Sequence, residues 1–121
     1  MVSKTQLIGQ HAEQQACHYL LKKGLTLIES NFRCKMGEID LIMRDGELLV
    51  FTEVKARQSN AFIGGLESVD YRKQQRLLRA STYYLQHKRL TDKYACRFDI
   101  VVVTINSAPP KIEWTKDAFR P

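Results

Sequence analysis

Asp45-Gly46, set between two runs of β-forming residues in the stretch GEIDLIMRDGELLVFTEVKAR, constrains this chain more than any other feature. Asp-Gly readily takes the positive φ values of a two-residue type I′ turn, so residues 37–57 are predicted to form a β-hairpin. Pairing Arg44 with Glu47 sets Ile42 opposite Leu49, Asp40 opposite Phe51 and Glu38 opposite Glu53, with Lys55 on the same face. Asp40 and Glu53 are then diagonal neighbours, roughly 7–8 Å apart at the backbone, and can close on one cation. Glu38 would face Glu53 and repel it. Carboxylates and a lysine gathered beyond an apolar stretch (Ile42, Leu49, Phe51) fit a divalent-metal site better than an ordinary solvated face.

With 121 residues and 44% hydrophobic content, the hairpin is expected to belong to one compact domain spanning residues 1–121, with no linker. The net charge of +6 favours a polyanionic partner, nucleic acid first. The N-terminal residues carry no apolar signal core, and the longest apolar run, Ile100 to Val103, is far too short for a bilayer. A cytoplasmic protein with no membrane partner is therefore expected. Cys17, Cys34 and Cys96 are widely spaced and lack a CxxC pair, so they read as buried or half-buried thiols rather than as a disulfide framework or zinc site.

Ser3 can cap a first helix from about Lys4 to Lys23, which Gly24 would close, with Ile8, Ala12, Ala16 and Tyr19/Leu20 as its apolar face. Glu13 borders that face. It reads equally as a solvated acid and as part of a site, since Gly9 one turn earlier leaves room for another element. His11 and His18 stand roughly 10.5 Å apart along the helix, too far to share a metal, and belong on the surface. His11-Ala12-Glu13 echoes the HxE of zinc deaminases, but the accompanying PCxxC is absent.

Leu25 to Arg33 reads as an outer strand paired to the hairpin. Arg33 and Lys35 read first as solvated loop bases, although their place beside the acids would suit a phosphate. Ala56 to Ser68, with Gly64-Gly65 in its middle, reads equally as a mobile loop over the site and as a simple strand-to-helix connection. A second helix, capped by Ser68 or Asp70 and reaching His87 or Leu90, would bury Leu77, Leu78, Ser81, Tyr84 and Leu85. Its opposite edge carries Arg72, Arg76 and Arg79 at i, i+4 and i+7 with Lys73 beside them. No acid between Asp70 and Asp92 pairs with them along the helix. A single-sign stripe repels itself unless something anionic answers it, so phosphate is its preferred partner. Tyr94 to Ile105, the most apolar strand, belongs in the middle of the sheet, with Arg97 and Asp99 as a supporting pair rather than catalytic groups; Lys111 to Thr115 forms a short last strand.

The ordered set of a GxxxE helix (Gly9 to Glu13), GEIDLI, EVK (Glu53 to Lys55), a basic KQQR helix and RFDIV resembles the bacterial YraN family over about Gly9 to Ile105. That family is similar to the archaeal Holliday junction resolvases among the PD-(D/E)xK nucleases. The resemblance implies an α/β, restriction-endonuclease-like core, with a central mixed sheet of about five strands flanked by helices. It makes Asp40 and Glu53 the metal-binding acids, Lys55 the catalytic lysine and Glu13 the helix acid, with the Val54 carbonyl as a further ligand. Two departures stand out: Ile39 replaces the proline of the superfamily motif, and Glu38 adds an acid. The implied activity is Mg²⁺- or Mn²⁺-dependent hydrolysis of DNA, branched or structured DNA included, with Arg72, Lys73, Arg76 and Arg79 holding phosphates. A homodimer or a DNA-repair or recombination partner is compatible with it. The alternatives are a nucleic-acid-binding module on a nuclease-like scaffold without turnover and, more weakly, a structural interaction domain.

Overall fold

A computed structural model describes residues 3–58 and 70–121. The segment containing Gly64-Gly65, and Ser68 as an alternative helix cap, lie outside the described residues. The elements run α1 (Lys4–Lys22), β1 (Thr26–Cys34), β2 (Gly37–Asp45), β3 (Leu48–Arg57), α2 (Tyr71–His87), β4 (Ala95–Thr104) and β5 (Lys111–Thr115).

Both helices start where their caps dictate. The Ser3 side chain accepts from the Gln6 N–H while the Gln6 side chain accepts from the Ser3 N–H, a reciprocal capping box that satisfies donors the helix cannot. Gly24 follows the C-cap residue Lys23 with φ +99°, as a left-handed closure requires. Asp70 caps α2 by accepting from the Lys73 N–H at 2.9 Å.

The five strands form one mixed sheet in the order β1-β2-β3-β4-β5. β1, β2 and β3 are successive antiparallel neighbours; β4 joins β3 in parallel, and β5 returns antiparallel to β4. α2 lies in the connection between the parallel strands, which no hairpin could bridge. β1 is an edge as expected; the centre of the sheet is β3, with β4 next to it. α1 buries Ala12, Ala16 and Leu20 against Leu41, Met43, Val50, Val101 and Val103 on one face. α2 buries Leu77, Ala80 and Tyr84 against Ile42, Leu49, Phe51, Ile100 and Val102 on the other. The result is the expected α/β arrangement, a mixed five-stranded sheet flanked by helices and consistent with a nuclease-like core.

The hairpin register differs from the expectation. Asp45 pairs with Leu48, so the turn residues are Gly46 and Glu47, and Ile42 faces Phe51 rather than Leu49. Of these two only Gly46 has a positive φ, +60°, which suits the turn type that wants glycine first. The physical reason lies outside the hairpin: the Asp45 carboxylate is bound at 3.0 Å by Arg97 of β4, which holds Asp45 in the strand. Gly9 also departs from expectation, since no heavy atom of another element lies within 4 Å of where its Cβ would be. Of the cysteines, Cys17 and Cys34 are half-buried but Cys96 is exposed. His11 and His18 are exposed as expected.

Candidate active site

Asp40 sits where the pairing of β2 with β3 ends. The β1–β2 ladder passes from Ser30–Leu41 to Phe32–Ile39, and between them Asn31 adopts φ +55°. Ile39 and Ile42, three residues apart, both pack in the α2-side core, although strict alternation would put them on opposite faces. The paired residues of β2 and β3 end at Leu41–Thr52, and the next β3 donor is captured differently: the Val54 N–H donates to Asp40 Oδ2 at 2.8 Å. A carboxylate placed at such a break can be approached from both sides of the sheet.

From the α1 side comes Glu13, whose side chain hydrogen-bonds to Asn31 and to Asp40. From the other side comes Glu53, buried like Asp40 and acting on it through its charge. Burial first, then the Glu53 charge, push the Asp40 carboxyl up to about 8, against the lowering effect of the Val54 N–H; Glu13 and Glu38 add to the rise. Burial likewise raises Glu13, with the charges of Glu38 and Glu53 adding to it and the hydrogen bonds from Asn31 and Asp40 opposing it. A protonated Asp40 that donates to Glu13 fits both directions. The structure thus brings Glu13, Asp40 and Glu53 into one electrostatic group. Among the described residues, however, no three His, Cys, Asp or Glu side chains are arranged to hold a metal together.

Glu53 is already engaged by a cation. Lys73 Nζ of α2 lies 2.6 Å from its Oε1. Lys55 is half-buried beside them; burial, then the Lys73 charge, lower its pKa, while Glu53 and Asp40 pull the other way. For Lys73 burial works downward too, but the hydrogen bond and charge of Glu53 outweigh it and leave the ammonium above its ordinary value.

A cleft of about 630 Å³ opens over Glu53, lined also by Arg33, Lys35, Arg72, Lys73 and Arg76. Glu13 and Asn31 line a separate cavity on the α1 side. The basic stripe of α2 is therefore divided: Arg72 and Arg76 face the cleft, Lys73 turns down onto Glu53, and Arg79 lines an adjoining groove with Met36 and Tyr83. α2 passes close to Gly37. Gly37 has φ +150°, and a Cβ there would stand 3.4 Å from the Arg76 carbonyl oxygen. Glu38 does not oppose Glu53; it pairs across the edge with Arg33 at 3.1 Å, where both are exposed. Sequence reasoning missed Asn31, which carried one signal, its tolerance of left-handed backbone. It placed Lys73 in the basic stripe, but nothing local could tell that Lys73, rather than its basic neighbours, would meet Glu53.

Fold and site together define an α/β protein with a buried carboxylate group, two lysines and a cationic cleft. The chain belongs to the family described as Uncharacterised protein family UPF0102, whose model matches residues 12–103. It is 51% identical over 119 residues to a UPF0102 protein of Coxiella burnetii, covering 98% of this chain and 97% of that one. It is 46% identical over 115 residues to one of Legionella pneumophila, covering 95% and 96%. Its identity to one of Pseudomonas paraeruginosa is 42% over 113 residues, covering 92% and 90%. Among the described residues no helix is long and apolar enough to cross a membrane.

Proposed function

We propose that this protein is a metal-dependent endonuclease that hydrolyses phosphodiester bonds of DNA, with branched or structured DNA as its substrate class. One observation carries this reading: two buried acids, Asp40 and Glu53, press on one another, and Glu53 lines a cleft together with Arg72 and Arg76. A buried carboxylate crowded by other acids suits a hard divalent cation, and the candidate ligand atoms are all oxygens. Asp40 and Glu53 would hold Mg²⁺ or Mn²⁺ with the Val54 carbonyl and waters completing its shell, and Glu13, hydrogen-bonded to Asp40, would orient that ligand. When bound, the cation supplies charge to the phosphate oxygens and lowers the pKa of water.

The chain's own residues do the rest. Arg72 and Arg76 position the phosphate in the cleft, and Arg79 extends that contact along α2. Lys55, a compact charge beside Glu53, orients the attacking water and offsets the negative charge that grows on the reacting phosphate. The likeness of the Asp40, Glu53 and Lys55 pattern to the PD-(D/E)xK resolvases supports the same chemistry and is the ground for naming branched DNA.

A second reading, a nucleic-acid-binding module without turnover, draws on the Lys73 ammonium that already neutralises Glu53. Incubating the protein with labelled branched and linear DNAs in Mg²⁺, Mn²⁺ or EDTA decides between them. Cleavage in Mg²⁺ or Mn²⁺, lost in EDTA, is the expected result. Binding without cleavage in any metal would replace the enzyme by the module.

A further inference from the structure

We propose that Lys73 is the resident counter-ion of the metal site: it seats on Glu53 when no metal is bound, leaves when a divalent cation arrives, and then joins the phosphate-binding cleft. This inference rests on the reading of Asp40 and Glu53 as metal ligands and adds a coupling between metal and nucleic acid.

Four observations carry it. The contact is short, 2.6 Å, and its two ends differ: the Glu53 side chain is 9% exposed while that of Lys73 is 44% exposed. The ammonium therefore reaches from the cleft into a buried acid and can withdraw to water along a flexible stem. Second, Lys73 occupies the first turn of α2, where the positive end of the helix dipole disfavours a cation, so Glu53 rather than the helix holds it there. Its N–H is tied to Asp70, which keeps the backbone placed whichever partner the ammonium takes. Third, Lys73 adjoins Lys55, a like-charge contact tolerable only while carboxylates answer both ammoniums. A divalent cation on Glu53 would remove that compensation and expel Lys73, the lysine in direct contact with that carboxylate. Finally, Lys73 lines the same cleft as Arg72 and Arg76, so the displaced ammonium has a phosphate site beside it.

The test is Mn²⁺ affinity, measured by titration on the whole chain without DNA, for wild type, Lys73→Met and Arg76→Met. Arg76→Met removes one charge from the same cleft without touching Glu53. Lys73→Met should bind Mn²⁺ roughly tenfold more tightly than wild type, the scale of one partly screened charge contact, and Arg76→Met should differ far less. If Lys73→Met does not fold, Lys73→Gln keeps a hydrogen-bonding side chain and should shift affinity in the same direction. In wild type, the ¹⁵Nζ resonance of Lys73, protected by Glu53, should broaden into exchange with water on adding Mg²⁺.

Equal Mn²⁺ affinity in wild type and Lys73→Met, or an unchanged Nζ resonance at saturating Mg²⁺, overturns the exchange while leaving the metal site standing. Equal gains from Lys73→Met and Arg76→Met overturn it as well, since the effect would be general repulsion. If no variant binds Mn²⁺, the metal reading fails and this inference with it.

Discussion

Asp99 and Asp40 are both buried aspartates on interior strands of the sheet, yet their surroundings are opposite. Asp99 accepts two hydrogen bonds from Arg97, one from Trp114 Nε1 and one from the Asp117 N–H, all at 2.9 Å. Arg97 in turn binds Asp45, so one guanidinium ties β4 to the hairpin end. Asp40 has the Val54 N–H and a hydrogen bond to Glu13, and beyond these it meets mainly other acids. A buried acid whose lone pairs are all answered is a strut. One crowded by like charges is costly for folding, and that cost is the mark of a site with work other than holding the fold.

The contrast is easiest to break through stability. Asp99→Ala should destabilise the protein by about 3–5 kcal/mol in urea denaturation, because it strands Arg97 and several donors. Asp40→Asn, measured without metal at pH 8, should be neutral or stabilising. Comparable losses from both would erase the distinction between strut and site.

On the side of chemistry, Lys55→Ala should leave folding and DNA binding nearly intact while lowering cleavage by about 10²–10³-fold, the scale of losing one group that stabilises transition-state charge. Lys55→Arg should not restore the rate, since a planar guanidinium cannot replace a compact ammonium. Cleavage by Lys55→Ala at the wild-type rate would remove Lys55 from the mechanism.

A pH series sharpens the same comparison. Folded Asp40 keeps its proton up to about pH 8, whereas an unfolded aspartate loses it near 3.8. The folded state therefore binds more protons between those values. The stability contributed by Asp40 should be full below about pH 4, be lost as pH rises toward 8 and level off above. Asp40→Asn should flatten that fall, a change of about 1–3 kcal/mol at the alkaline end. Added Mg²⁺ should also flatten it for wild type, by taking the proton's place. Identical pH profiles for wild type and Asp40→Asn would show that the acids do not press on one another.

The smallest effects come from two glycines of opposite character. Gly37→Ala puts a side chain at φ +150°, an angle that side chains rarely adopt, and should lower stability by about 1 kcal/mol. Gly9→Ala, in open space within α1, should raise it by about 0.5–1 kcal/mol. Melting curves of the two variants shifting in the same direction would mean that the backbone angle at Gly37 does not require glycine.

The sequence by itself determined what depends on near neighbours. Ser3 and Asp70 as caps, Gly24 as a helix stop, the five strands to within a residue or two and the two-residue hairpin turn all follow from local propensity and spacing. The acids on the hairpin arms were legible for the same reason, as was the Arg97–Asp99 pair, two residues apart on one strand. Tertiary structure decided the rest. Arg97 moved the turn by one residue by holding Asp45, Arg33 drew Glu38 outward, and the break at Asn31 and Asp40 exposed one carboxylate to acids from both faces. Lys73 could be told from Arg72 and Arg76 only once α2 had settled against the sheet. Propensity and period act over a few residues, whereas charge and packing act between segments that the chain separates and the fold brings together.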